Sequence, residues 1–456
     1  IITSSAADNI ILRGIAGSGK TTAALHRLVY LSKTSNSAQD KFLVLTRTKE
    51  LAKIFDKLCE NSRLTNRTVS SITDYAKSVL GGHLPPEYSK NGMLSISQSG
   101  GSLLKDRFLG SREFFETITR YITDQNTRLV EFVEAKIEKE DLDLQEKVRV
   151  LGKELLGGKI GSVVYISQVS SLTKASALHS TFADTKKKIE LYYADLIKCF
   201  DIAPTFSIYG HNEIQEYKKD TVTCRQSFCL AISDIVPLAL ICALKTKTRE
   251  TPFINLLVDE AQDMSYLEMA YLLEVYNKHN SITLVGDEQQ QTRGNSGFAA
   301  FEQLRNSSEE KTVTRELLIS HRNSSEIAAL ANCVVKKKFQ TKNNSGKIPK
   351  LFRSYNEDSS FSDLLNWINV LYAEEPGSLI CIITPDKAAS HALNSLLSPK
   401  FGSACCLLRE AEESRDGGIV ISHLDGTKGL EFQHVAIWNV SSRVFTGNSE
   451  GANKLY

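Results

Sequence analysis

The stretch Gly14-Ile15-Ala16-Gly17-Ser18-Gly19-Lys20-Thr21 constrains this chain more than any other, because it fits the pattern G-x-x-x-x-G-K-[ST]. Asn9 to Arg13 ahead of it read as a short strand. Residues 21–32 behind it read as a helix with Ala24, Leu25, Leu28, Val29 and Leu31 on one face. In that setting Gly17 and Gly19 let backbone N–H groups converge on phosphate oxygens at a helix N-terminus. Lys20 is placed to reach β- and γ-phosphates, and the Thr21 hydroxyl to ligate magnesium. Much later, Leu257-Val258-Asp259-Glu260-Ala261-Gln262-Asp263 is an apolar run ending in paired carboxylates, as a buried strand delivering acids to its carboxyl end would read. Asp259 is the candidate magnesium carboxylate and Glu260 the candidate base that activates water. Together the two stretches predict binding and hydrolysis of a nucleoside triphosphate with Mg2+.

The fold class follows from the rhythm around them. Phe42 to Leu45 reads as a second buried strand and Glu50 to Cys59 as a second helix, the order of a parallel, doubly wound sheet with right-handed crossovers. Gly81-Gly82 and Pro85-Pro86 break that rhythm, and residues 105–200 are charged and helical in pattern, with Glu131 to Lys147 dense in i,i+4 Glu and Lys. Strand and helix alternate again at Phe253 to Asp259, 264–278 and Ser281 to Gly286. A second α/β unit carries expected strands at Glu316 to Ile319, Ser378 to Thr384, Gly418 to Ser422 and His434 to Val440, with helices at 324–337, 358–373 and 386–398. The expected division is therefore 1–84 and 223–312 for a first α/β domain, 85–222 for a helical insertion in it, and 313–456 for a second α/β domain, incomplete at its C-terminus.

Bulk properties set limits. A chain of 456 residues is long for one core. The longest apolar run, Ile235 to Leu244, is interrupted by Pro237 and is too short to span a bilayer, so no membrane is expected. Nine cysteines without C-x-x-C spacing read as reduced thiols, which points to the cytoplasm (or nucleoid or nucleus) and away from secretion. A net charge of +2 announces no global nucleic-acid footprint. Lys186-Lys187-Lys188, Lys218-Lys219, Lys245 to Arg249 and Lys336-Lys337-Lys338 are local clusters, each also readable as a solvated helix face. Ile1 is not an initiator methionine and no signal peptide follows it, so the chain reads as a piece of a longer protein.

The motif order resembles superfamily 1 helicases of the UvrD/Rep type, nearest to the DNA helicase IV (HelD-like) branch, over both α/β units but not the insertion. Lys20-Thr21 with Ala24 to Leu31 looks like that branch's first motif. Leu45 to Lys49 looks like the next, and Val69 to Tyr75 like the one after. Asp259 to Asp263 is similar to DEAQD, and Val285-Gly286-Asp287 with Gln290 to the third motif. Leu317 to Arg322 with Asn323-Ser324 resembles LxxNYRS, and Lys428 to Phe432 resembles KGLEF. The resemblance implies that the triphosphate is ATP. It also implies two RecA-like P-loop NTPase domains, parallel sheets flanked by helices, whose shared site closes on triphosphate and opens on diphosphate. It assigns Gly14, Gly17, Ser18, Gly19, Lys20, Thr21 and Thr22 to phosphate binding and Gln262 to coupling the carboxylates. Gln290 becomes a γ-phosphate sensor, Arg322 an arginine finger, His321 a base-stacking residue and Glu431 a contact to the nucleotide sugar. Thr46, Arg47, Thr48 and Tyr75 become contacts to single-stranded DNA, or to RNA.

Departures from the family accompany these assignments. His321 stands where Tyr is usual, Arg47 where Phe is usual, and Asp425 where His is usual ahead of Lys428. Gln291-Thr292-Arg293-Gly294 follow Gln290 without an aromatic, and Phe298 and Phe301 are the nearest ones. Stacking is a principal grip on single strands, so the resemblance supports ATP hydrolysis further than processive unwinding. By resemblance the final arginine motif should follow Tyr456, and the adenine-reading Gln should precede Ile1. Three readings stay open: a helicase or translocase on single-stranded DNA, an ATPase that remodels a protein–nucleic acid complex such as one with RNA polymerase, and the motor subunit of a repair or defence nuclease. A protein partner would then use the helical insertion.

Overall fold

The computed structural model describes residues 2–5, 8–34, 41–90, 93–97, 103–174, 176–203, 209–247, 253–276, 281–291, 297–305, 311–334, 340–342, 345–353, 356–408, 417–427 and 430–440. The strands in chain order are β1 (Asn9–Gly14), β2 (Lys41–Thr46), β3 (Arg67–Ser71), β4 (Ser89–Lys90), β5 (Met93–Leu94), β6 (Phe253–Val258), β7 (Ser281–Gly286), β8 (Thr312–Leu317), β9 (Ile319–Ser320), β10 (Gln340–Thr341), β11 (Leu379–Thr384), β12 (Cys405–Leu407), β13 (Gly418–His423) and β14 (His434–Ile437). By contacts the chain forms two compact units, Ile1–Arg13 with Lys20–Gly286 and Arg293–Glu316, and Gly14–Gly19 with Asp287–Thr292 and Leu317–Tyr456.

The first unit is built on a sheet of order β3-β2-β6-β7-β1-β8. β3, β2, β6, β7 and β1 are parallel, with Leu45 opposite Val258 and Ile10 opposite Thr283. All six residues of β7 and the last five of β2 are buried, which is why their sequences run apolar instead of alternating. Helices Lys20–Thr34, Lys49–Asn61, Ile72–Gly81, Ile235–Thr246 and Tyr266–Val275 belong to this unit. Thr48 and Ser71 start two of them by accepting from Leu51 N and Asp74 N, both at 3.2 Å.

Between Pro86 and Gln226 the described chain is mainly helical. A small antiparallel β4–β5 pair leads into helices Leu103–Leu109, Arg112–Ile137, Leu142–Leu156, Ser162–Leu172, Leu178–Ile189, Tyr192–Ile202 and His211–Gln226. The long Arg112–Ile137 helix serves two cores. Its Phe114, Ile118 and Ile122 join the main cluster beside Phe108 and Phe200, whereas Val130, Val133 and Ile137 join a distal cluster with Val148, Ile166 and Phe182. Buried ion pairs bind the near part to the core: Lys105 Nζ lies 3.2 Å from Asp234 Oδ1, and Lys245 Nζ 2.5 Å from Asp195 Oδ2.

The second unit holds a parallel sheet of order β12-β13-β11-β14, with Ile382 opposite Ile421 and Ala436. Leu364 and Ile368 of helix Glu357–Glu374, with Leu393 and Leu397 of helix Lys387–Phe401, pack on it. Both units are thus parallel sheets with flanking helices, the RecA-like arrangement. The expected strand at Glu316 to Ile319 divides instead: β8 is the edge strand of the first sheet, and only β9 pairs elsewhere, with β10. The expected strand to Val440 stops at Ile437, and residues 335–337 of an expected helix lie outside the described residues.

Candidate active site

The glycine loop joins β1 to the Lys20–Thr34 helix. Gly17 and Gly19 have φ of +70° and +82°, a region open to glycine at little cost. A Cβ on Gly19 would meet nothing within 4 Å, whereas one on Gly17 would fall 2.4 Å from Arg322 Cβ and 2.9 Å from Ser320 Oγ, all within the second unit. The same unit fixes the loop backbone: His321 N donates to Gly17 O at 2.8 Å, Ile15 N to Leu317 O at 3.1 Å, and Ile15 packs on Ala328. Ser18 is buried, and its Oγ has no hydrogen-bond partner among the described residues. Thr22 is exposed on the helix.

The acids lie at the end of β6, in the first unit. Asp259 N donates to Leu45 O at 2.9 Å, which continues the β2–β6 pairing and brings the carboxylate to the sheet's carboxyl edge. Thr21 Oγ1 donates to Asp259 Oδ2 at 3.2 Å, so the two predicted metal ligands meet across 238 residues. Glu260 then takes a left-handed conformation, φ +55° and ψ 39°, a strained state for a non-glycine residue that turns the chain out of the strand. Gln262, fully buried, donates to Glu260 Oε2 at 2.6 Å. Room for Gln262 comes from Gly286, where a Cβ would fall 2.0 Å from Gln262 Oε1.

Electrostatics mark Asp259. Its carboxyl is pushed up to about 7, by burial first and by the Glu260 charge second, with Lys20 and the Thr21 hydroxyl pulling the other way. A hard divalent cation bound by carboxylate and hydroxyl oxygens would relieve that strain. The Thr21 hydroxyl and the Asp259 carboxylate, both in the first unit, are a donor set that fits a magnesium ion.

In the second unit Arg322 pairs with Glu431, and both side chains are accessible, at 38% and 64%. His321 is exposed and Gln290 is half-buried in the turn after Asp287, its N donating to Asp287 O at 3.1 Å. Lys428 and Gly429 of the last matched motif lie outside the described residues.

Each residue expected to hold a nucleic-acid strand also has contacts within the protein. Thr46 is buried and donates to Thr48 O at 2.8 Å, and Thr48 caps a helix. Arg47 is paired with Glu268 at 2.6 Å. Tyr75 is half-buried, its ring centroid 6.5 Å from that of Phe253. Phe298 and Phe301 are core residues, 0% and 1% exposed. Of the basic clusters, Lys245 is buried against Asp195, Lys218 pairs with Asp201 and Lys187 with Asp184, and 336–338 lie outside the described residues. One organising residue lies inside the stretch that resembles the first motif, although the resemblance assigns it no role: fully buried Arg27 donates to Ser4 O and Ser5 O at 2.9 and 2.8 Å, pinning the segment before β1 to the loop's helix.

A glycine loop between strand and helix, with a strand-end acid beside its threonine, defines a P-loop NTPase. Residues 1–292 match the model of the UvrD/REP helicase N-terminal domain, and the chain belongs to that family of ATP-dependent helicases and translocases. No curated protein matches the chain. No helix among the described residues is long and apolar enough to cross a membrane.

Proposed function

We propose that the chain is an ATP-driven translocase on single-stranded DNA, of the HelD-like branch, and that Lys20, Thr21, Asp259 and Glu260 form its hydrolytic centre. The meeting of Thr21 with Asp259 carries this reading, because a hydroxyl and a buried, destabilised carboxylate are what a magnesium–nucleotide site requires. Magnesium, when bound, would neutralise phosphate charge, held by Thr21 and Asp259. The loop's backbone N–H groups bind phosphate, and Lys20 adds a point charge to it. Glu260, oriented by Gln262, takes the proton of the attacking water. Gln290 senses the terminal phosphate. Arg322, whose Cβ abuts Gly17, supplies positive charge to the transition state once released from Glu431, leaving Glu431 to the sugar and His321 to the base.

A second reading, an ATPase that remodels a protein–nucleic acid complex without processive unwinding, is supported by the surroundings of three residues near the expected strand contacts. Arg47 is committed to Glu268, and Phe298 and Phe301 are buried. The test is steady-state ATP hydrolysis with and without single-stranded DNA, alongside strand displacement. Stimulation with displacement is expected. Stimulation without displacement selects the remodelling reading, and absence of hydrolysis under every condition overturns both. Arg322→Ala should leave nucleotide binding within about tenfold while slowing hydrolysis by roughly 10³, as loss of an arginine finger does. Equal loss of binding and turnover would make Arg322 a scaffold residue.

A further inference from the structure

Arg47 sits directly after β2, and the contacts it makes surround the turn that carries the acids. Arg47 Nη1 lies 2.6 Å from Glu268 Oε1, with side chains 21% and 10% exposed. The other Glu268 oxygen accepts from Ser265 N at 2.8 Å, and Ser265 Oγ accepts from Glu268 N at 3.2 Å, a reciprocal cap that starts helix Tyr266–Val275. The turn from Asp259 to Met264 is therefore tied at both ends to one stretch of chain. Its start is bonded to Leu45 O, and its end reaches Arg47 through the cap.

Two more carboxylates face the same guanidinium, Asp263 from the turn and Asp106 from the insertion. Burial works against the Arg47 charge, yet Glu268 and these two hold its pKa above the ordinary value. The insertion also packs directly on the cap. Leu267 N donates to Gly110 O at 3.2 Å, and a Cβ on Gly110 would fall 2.7 Å from Ser265 Cβ.

We propose that Arg47 is a positioning residue for the metal-binding acid. Its pair with Glu268 staples the Asp259–Met264 turn so that the Asp259 carboxylate keeps its place beside Thr21. The inference rests on the reading of Thr21 and Asp259 as the magnesium site. Loss of the staple leaves the glycine loop untouched, so it weakens metal binding and spares phosphate binding. Partners that orient a metal ligand without touching the metal typically contribute about 10- to 100-fold in metal affinity.

The experiment is titration of the full chain with Mn2+ in the presence of ADP, followed by electron paramagnetic resonance, with ADP affinity measured separately in chelator. Arg47→Met should weaken Mn2+ binding by about 10- to 100-fold and leave metal-free ADP affinity within about twofold. Glu268→Gln keeps an oxygen for the Ser265 cap and removes the charge, so it tests the pair even if Arg47→Met does not fold. The double variant should be no weaker than the worse single one, since both break one interaction. Arg47→Lys, which keeps the charge without the planar fork, should recover part of the loss. Mn2+ affinity unchanged in Glu268→Gln and Arg47→Met, or a loss matched by metal-free ADP affinity, overturns the staple. Failure of the unaltered chain to bind Mn2+ with ADP overturns the site itself.

Discussion

Asp234 and Asp259 are both buried carboxylates of the first unit, 0% and 8% exposed, and they have opposite surroundings. Asp234 lies where the insertion meets the core and faces Lys105, itself 1% exposed, at 3.2 Å. Burial raises its carboxyl above the ordinary value, and Lys105 with Thr221 offsets only part of that. Asp259 faces the Thr21 hydroxyl and the adjoining Glu260, so a second negative charge adds to the effect of burial and the carboxyl stands at about 7. A buried acid given a buried protein cation is scaffolding. One placed beside another acid is arranged for a cation that arrives from outside.

Each carboxylate is influenced by a lysine, and the two lysines should fail differently. Lys20→Ala should lower ATP turnover by about 10³ or more with thermal unfolding little changed, as stopped-time phosphate release and calorimetry would read. Near-normal hydrolysis in that variant would remove the phosphate-site assignment. Lys105→Met should leave Asp234 buried and uncompensated and cost about 3–5 kcal/mol in denaturant unfolding. If it costs no more than an exposed substitution, the contrast between scaffold pair and cation site is lost.

A subtler difference lies in pH. Asp259 must be deprotonated to hold a metal, so with its carboxyl near 7 magnesium affinity should be level above that pH. Below it, affinity should fall by about tenfold per pH unit. A calorimetric titration with ADP between pH 6 and 8 that shows no slope would mean that another group holds the metal.

Local pattern made much of this legible. The strands read at 9–13, 42–45 and 281–286 are found at Asn9–Gly14, Lys41–Thr46 and Ser281–Gly286, because a strand buried on both faces writes an unbroken apolar run. β3 wrote none: Arg67, Thr68, Ser70 and Ser71 make an edge strand with one buried residue, and it was legible only as part of a motif. The helix expected from 264 begins at Tyr266, since the left-handed Glu260 and the turn through Met264 occupy the interval and Ser265 caps it. At the site, residue types within each motif were readable from spacing. The partners that fix them were not, since Arg47 finds Glu268 221 residues away, and Lys105 finds Asp234 only once the insertion has folded back on the core.

Asp259→Asn tests the central claim most directly, with ATP turnover and unfolding free energy measured on the same protein. The folded carboxyl lies above its ordinary 3.8, so the unfolded state releases its proton first as pH rises, and stability is lost between about 4 and 7. The variant should therefore be more stable than the parent by about 1–3 kcal/mol above pH 7, equal to it below about pH 4, and at least about 10³ slower in hydrolysis. Hydrolysis close to that of the parent, or a loss of stability at pH 8, would contradict the account.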